Sequence, residues 1–328
     1  MEDTDVTTNP RMFPALRLME RTAVPTLYNR PPYWRPAVPA PAAEVLIPSW
    51  HWRHVEADTI PDDDTPVTLD YNGAYLAAIG SVEVAHGELK HYGTQDPYQL
   101  NPRKVLPGYY RVEVPYWGLS GTLVSPLGDS ARLETETSWW IAHPTLVLLL
   151  ELLAEGAIGE LEITDSYCSE KVTNFRKWSA KLKDARTRLL DDRDAAVTDD
   201  ERAATTARYS AFKEGYGAAL SMMLTGERSL TRRPDWAHAV YAQHAATSWR
   251  KAWRFTLTGP VLAMGAVDEI TVFRRDLDAA LVQPKPPVKL DESGRALGHL
   301  KTKTTTPPAG DPEGAPELLM SEDWSDLL

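Results

Sequence analysis

Asp70 and Asp268 stand where this 328-residue chain can do chemistry. Asp70 closes the apolar, β-prone run Pro66-Val67-Thr68-Leu69. Asp268 follows Val261-Leu262-Ala263-Met264 and precedes Glu269 and a second β-prone run, Ile270-Thr271-Val272-Phe273. Carboxylates on adjacent strand ends can bridge a pair of divalent ions that activate a hydroxyl and steady a leaving pyrophosphate. Mg2+ prefers oxygen donors and usually takes one or two carboxylates beside substrate phosphates, so a long separation in sequence is no obstacle. Taken alone, each aspartate also reads as a loop-end or helix-capping residue. Asp62-Asp63-Asp64, just upstream, reads as a solvated turn beside this chemistry.

Other chemical signals are weaker. His86 and His91 have no third metal ligand in view and read as loop histidines. Gly215-x-Gly217 lacks the third glycine of a dinucleotide fingerprint and follows a helix, not a strand. No Walker-type Gly-Lys-Ser/Thr occurs. The single cysteine, Cys168, rules out an internal disulfide framework and a cysteine-rich zinc site. Trp249-Arg250-Lys251-Ala252-Trp253-Arg254 sets tryptophans four residues apart among cations. That pattern suits base stacking with phosphate contact by Arg250 and Lys251; it suits better a core tryptophan pair with a solvated basic face. Arg176, Lys177, Lys181, Lys183, Arg186 and Arg188 form a second basic stripe with the same two readings.

The elements that must position these residues follow from periodicity and punctuation. Residues 1–64 are broken by prolines and carry Tyr28, Tyr33, Trp34, Trp50 and Trp52; they read as an irregular arm wrapped on the main domain. Residues 65–125 read as a strand, a short helix and further strands, including Tyr109-Tyr110-Arg111-Val112-Glu113-Val114. Ser138 to Ile141 is a strand, and Pro144 opens a helix ended by Gly156 and Gly159. Ile158 to Tyr167 reads as another strand. Residues 170–257 read as a helical insertion: Phe175, Trp178, Leu182, Leu189 and Leu190 recur at helical spacing, a second helix follows from about Ala203, and a third runs from Pro234 to about Leu257. The stretch Lys301 to Pro308 is low in complexity, and the flexible acidic tail, residues 306–328, ends in an acidic-apolar segment, residues 318–328, suited to a groove on a protein partner or to solubilising disorder.

The net charge of −11 argues against indiscriminate nucleic-acid binding. The charge is concentrated at the ends, however. Residues 1–64 carry ten acids and six bases and residues 309–328 six acids and no base, which leaves residues 65–308 at −1. The N-terminus lacks a basic-then-apolar leader pattern, and the longest apolar stretch, Leu146 to Leu153, contains Glu151 and is too short for a bilayer. The expectation is a soluble, cytoplasmic protein without membrane contact.

The order of these segments resembles the palm region of family B DNA polymerases, the protein-primed phage and linear-plasmid type most of all. Asp70-Tyr71-Asn72-Gly73-Ala74-Tyr75 is similar to the family's first palm motif, an aspartate followed by a tyrosine that checks the nucleotide's sugar. Lys213-Glu214-Gly215-Tyr216-Gly217 resembles the end of the fingers helix. Met264-Gly265-Ala266-Val267-Asp268-Glu269-Ile270 is similar to the third motif, and Leu297-Gly298-His299-Leu300-Lys301 to the element that approaches the primer. The resemblance covers about residues 65–305. Ala266 stands where the family has the first aspartate of the third motif, Met264 replaces an aromatic and Leu76 a proline. Aligning Tyr216-Gly217 puts Lys213 in an asparagine slot and Tyr209 in a lysine slot.

The resemblance implies an α+β fold: a palm-like antiparallel sheet with a helical fingers-like insertion, an irregular N-terminal arm and a disordered C-terminal tail. It implies Asp70 and Asp268 as catalytic residues that hold two Mg2+ or Mn2+ ions, with Glu269 as a further ligand. Tyr75, Arg208, Lys213, Tyr216 and Gly217 would meet a deoxynucleoside triphosphate. Lys301 and Lys303, with Arg250 and Lys251, would meet DNA. The expected activity is nucleotidyl transfer by a small polymerase of a plasmid or mobile element, with no room upstream of Asp70 for a proofreading domain and little after residue 305 for a thumb. The alternative is a degenerate relative that binds DNA as a replication, terminus-binding or regulatory protein.

Overall fold

The computed structural model of the chain describes residues 40–54, 64–129, 135–225 and 232–303. These residues form strands β1 (Val45–Leu46), β2 (Trp50–Arg53), β3 (Pro66–Tyr71), β4 (Glu83–Ala85), β5 (Lys90–His91) and β6 (Gly108–Glu113). They continue with β7 (Ser138–Ala142), β8 (Ile163–Cys168), β9 (Val172–Asn174), β10 (Val261–Ala266), β11 (Glu269–Phe273) and β12 (Leu300–Thr302). The helices are α1 (Ala74–Ser81), α2 (His143–Glu155), α3 (Arg176–Ala195), α4 (Asp199–Thr225), α5 (Pro234–Phe255) and α6 (Arg274–Leu281). The fold is α+β, as expected. No helix among the described residues is long and apolar enough to cross a membrane.

The chain divides into two compact units. The helical unit holds α3 and α4. Phe175 just before α3, Trp178, Leu182 and Leu189 of α3 and Phe212, Leu220 and Met223 of α4 are buried at helical spacing. The turn between the helices is a reciprocal cap: Glu201 accepts from the Val197 and Thr198 amides, and the Thr198 hydroxyl accepts from the Glu201 amide.

The second unit, Pro36–Asn174 with Arg233–Thr304, carries every described strand. One sheet has the order β1-β7-β6-β8-β5, antiparallel except that β1 joins β7 in parallel; the other has the order β12-β3-β11-β10-β2 and is antiparallel throughout; β4 and β9 form a separate pair. A single core joins both sheets to α2 and α5, with Leu69, Val112, Ile141, Leu149, Trp249 and Ile270 at its centre.

Three tryptophans knit this core. Trp249 and Trp253 stack with centroids 5.5 Å apart, and Trp117 meets both edge-on. The Trp249 indole donates to the Val124 carbonyl at 3.0 Å and that of Trp117 to the Leu123 carbonyl at 2.8 Å. The pair in α5 is therefore a core pair rather than a base-stacking platform.

Differences from the sequence reading concern boundaries. Residues 40–54 supply β1 and β2, which edge the two sheets, where an irregular arm is expected. The compact helical unit stops at Arg232, and α5 packs on α2, α1 and β4 in the strand-bearing unit. Its buried residues, which include Trp236, Ala245, Trp249 and Phe255, face core rather than solvent. Strand β8 begins at Ile163, five residues later than expected. Residues 1–39, Asp62, Asp63 and the tail at 318–328 lie outside the described residues.

One close approach makes a prediction. A Cβ on Gly108 would lie 2.1 Å from the Tyr167 carbonyl oxygen and 2.6 Å from the Cys168 Cα, both backbone atoms of the neighbouring strand. Gly108→Ala should lower stability by about 3 kcal/mol through forced separation of β6 from β8. Urea unfolding would read this as an earlier midpoint at unchanged slope; an unmoved midpoint would refute it.

Candidate active site

β3 alternates: Val67, Leu69 and Tyr71 face the core, and Thr68 and Asp70 face the open side of the sheet. Registry then sets Asp70's neighbours. Glu269 of β11 lies directly across on one side and Lys301 of β12 on the other. One step along, the hydroxyls of Thr68 and Thr271 bond across the same strands at 3.0 Å. The β3 strand ends in Asn72-Gly73. Gly73 adopts φ 59°, ψ 49°, a left-handed conformation that turns the chain straight into α1, whose second residue is Tyr75. On the other side of the sheet centre, β10 and β11 form a hairpin whose two-residue turn is Val267-Asp268.

Asp70, Asp268 and Glu269 consequently share one end of the sheet. Burial first, then the charges of Asp70 and Glu269, push the Asp268 carboxyl up from its ordinary range, and Lys303 pulls the other way. Shifted carboxyl groups in close company are common at functional sites. Two lysines supply the compensation here: Lys301 Nζ lies 3.4 Å from Asp70 Oδ2, and Lys303 pairs with Glu269. Glu269, with support from Asp70 and Asp268, raises the Lys303 ammonium. Among the described residues no group of three or more His, Cys, Asp or Glu side chains is arranged to hold a metal ion. Asp70, Asp268 and Glu269 offer oxygen donors alone, the kind that a hard divalent ion takes.

Tyr75 is half-buried beside this end. Burial, then Tyr241 and Asp268, raise its phenol. Its ring packs edge-on against Tyr241 at 5.4 Å and against His244 at 5.1 Å. His244 also meets Tyr71 at 5.8 Å, and Lys251 lies 4.0 Å over the Tyr71 ring. Tyr241, His244, Ser248 and Lys251 thus form one polar stripe of α5, on which His244 and Lys251 meet Tyr71 and Tyr241 and His244 meet Tyr75. None but Lys251 is singled out by the sequence. The signal was present as polar residues spaced three, four and three apart in a helix otherwise rich in alanine and tryptophan.

The remaining expected site residues lie on α5 and α4. Arg250 pairs with Glu151 at 2.6 Å and Lys251 donates to the Gly298 carbonyl, so these two of the four cations expected on DNA have partners within the chain. Arg208, Lys213, Tyr216 and Gly217 lie on α4 in the helical unit: Lys213 is exposed, and Tyr216 is buried with its ring 5.5 Å from that of Phe212. Of the basic stripe on α3, Arg186 is buried and lies over the Tyr209 ring at 5.9 Å, whereas Lys177, Lys181, Lys183 and Arg188 are exposed. His91 pairs with Asp165 at 2.6 Å on the first sheet, apart from the carboxylates.

No family model and no curated protein matches the sequence. Among solved structures, the chain is similar to Phi29 DNA polymerase complexed with primer-template DNA and incoming nucleotide substrates, with a TM-score of 0.50 at 12% identity over 87% of this chain and 51% of that chain. An orthorhombic crystal form of Phi29 DNA polymerase gives a TM-score of 0.49 at 11% identity over 88% of this chain and 51% of that chain. The chain spans about half the length of these polymerases. The fold is polymerase-like.

Proposed function

We propose that the chain is a small, metal-dependent DNA polymerase-like nucleotidyltransferase of a plasmid or mobile genetic element, acting on primer-template DNA and deoxynucleoside triphosphates. The observation that carries this reading is the meeting of Asp70 and Asp268, separated by almost 200 residues, at one end of the β12-β3-β11-β10-β2 sheet in a polymerase-like fold. Asp70 and Asp268 would hold Mg2+ or Mn2+, with Glu269 beside them; the ions would supply activation of the primer hydroxyl and charge relief for the departing pyrophosphate. Lys301, opposite Asp70 on the edge strand, is suited to exchange its carboxylate for a primer phosphate when a cation arrives, and Lys303 is suited to do the same from Glu269. Tyr75 would stand under the sugar, braced by Tyr241 and His244. The assignment of Arg208, Lys213, Tyr216 and Gly217 to the nucleotide rests on motif resemblance.

One observation favours a second reading. Lys301 and Lys303 already neutralise the carboxylates, and β10 ends in Ala266 rather than a further acid. A chain in which these pairs were permanent would bind DNA without turnover. Incorporation of one labelled deoxynucleotide on a primed template in Mg2+ or Mn2+ separates the two: template-directed incorporation supports the enzyme, and DNA binding without incorporation supports the degenerate binder.

Tyr75→Val tests the sugar assignment. Removing a ring that meets the 2′ position should improve ribonucleotide use relative to deoxynucleotide by at least about 100-fold in kcat/KM, a differential effect of about 2.7 kcal/mol. An unchanged ratio would remove Tyr75 from the site.

A further inference from the structure

We infer that Lys251 is a positioning residue that seats β12, and with it Lys301, against the Asp70 strand. The inference rests on the proposed reading of Lys301 as the primer-strand contact.

Lys251 is a half-buried cation that makes no ion pair among the described residues. It leaves α5, crosses the face of Tyr71 at 4.0 Å and donates to the Gly298 carbonyl at 2.5 Å. Burial, then the Arg254 charge, lower its ammonium to about 8. An ammonium held without a carboxylate is costly, so the site must gain from its contacts. Those contacts have one structural result. Gly298 lies two residues before β12. Its amide donates to the Asn72 carbonyl at 2.9 Å, and the Asn72 amide donates to the His299 carbonyl at 2.9 Å. The Asn72 side chain reaches the Asp291 carbonyl at 2.8 Å, which ties down the start of the same loop. Asn72 follows the end of β3, two residues after Asp70. Lys251 therefore fastens the loop at the point where its backbone locks to the catalytic strand.

β12 needs such a fastening. It is a three-residue strand at the edge of the sheet: β3 pairs with its whole length on one side, and on the other an isolated bridge from Leu290 to Leu300 and the Glu292 carboxylate on Thr302 meet it. Short edge strands hold register weakly. In this strand register decides function, because a one-residue slip would turn Lys301 away from Asp70 to the opposite face. A cation–π contact and a charge-assisted hydrogen bond from the rigid helix α5 fix the register from the core side.

The experiment compares the full chain with Lys251→Met and Lys251→Arg. Fluorescence anisotropy gives affinity for a labelled primer-template duplex, and single-nucleotide incorporation gives the nucleotide KM. Lys251→Met should weaken duplex binding about tenfold and leave the nucleotide KM within about twofold. Lys251→Arg, which keeps the charge and the donor, should restore duplex affinity. Equal duplex affinity in wild type and Lys251→Met, or parallel loss of both constants, would overturn the inference. Should Lys251→Met fail to fold, Lys251→Leu, which also lacks the charge and the donor, replaces it with the same outcomes. A wild-type chain that neither binds nor extends the duplex would instead overturn the polymerase reading, because Lys301 would then have no primer to meet.

Discussion

Asp268→Asn is expected to abolish nucleotide incorporation while leaving the fold as stable as before, or more so. In the wild type the Asp268 carboxylate is pushed up by burial and by the charges of Asp70 and Glu269. The folded chain thus holds a repulsion that a neutral, nearly isosteric amide removes. The stabilisation is on the order of 0.5–1 kcal/mol, because the group is part-exposed and Lys303 already offsets some of the repulsion. The cost falls on function. Losing one anionic donor from a cation-binding pair should reduce incorporation on the order of 1,000-fold or more, about 4 kcal/mol of transition-state stabilisation. Thermal unfolding and single-turnover incorporation measured on the same preparation check both halves. A substitution that destabilised the chain and left incorporation intact would make Asp268 a structural turn residue.

The second large effect is acid unfolding. His143 in the first turn of α2 and His238 and His244 in α5 are each lowered to about 4, first of all by burial. His238 Nδ1 is hydrogen-bonded to the Tyr109 hydroxyl at 2.9 Å, and His244 is packed against Tyr71 and Tyr75. All three are neutral in the folded chain at pH 7. Between pH 6.5 and 4 the unfolded chain binds these protons and the folded chain does not, so stability falls as pH falls through that window. Each histidine contributes on the order of 2–3 kcal/mol by the lower end, so together they rival the 5–15 kcal/mol of a typical fold. Asp268, raised in the folded state, works in the opposite direction and offsets part of the loss. Carboxylates lowered by hydrogen bonds, such as Glu201 and Asp291, act below this range. The unfolding midpoint should drop steeply from pH 6.5 to 4.5, and His238→Gln should flatten about a third of that slope. A midpoint unchanged across the window would refute the account of these histidines.

The end of β3 and the turn between β10 and β11 were legible because the strands announce themselves locally. Val67 and Leu69 alternate toward the core, Asn72-Gly73 makes the turn into α1, and the apolar runs on each side of Asp268 pair as a hairpin. What lay between these ends was harder to read. β1 and β2 are two and four residues long, and their partners, β7 and β10, are about 90 and 210 residues away in sequence. No local pattern can specify such pairing. α5 reads as a continuation of the helical insertion because its periodicity is ordinary. Only tertiary packing shows that it faces α2 and α1, and that Lys251 turns inward to Gly298 rather than outward to DNA. The partners of Lys301 and Lys303 were equally hidden, since β12 acquires its meaning only from its register on β3.

The claim that Asp70 and Asp268 form one cation centre is tested most directly by Mn2+ binding. Electron paramagnetic resonance of free Mn2+ would be recorded during titration of wild type, Asp70→Asn and Asp268→Asn, with a deoxynucleoside triphosphate at fixed concentration. The account predicts that wild type depletes the free-ion signal beyond the triphosphate alone, and that each substitution weakens this binding at least about tenfold, or 1.4 kcal/mol. Mn2+ binding of equal strength in all three proteins would contradict it.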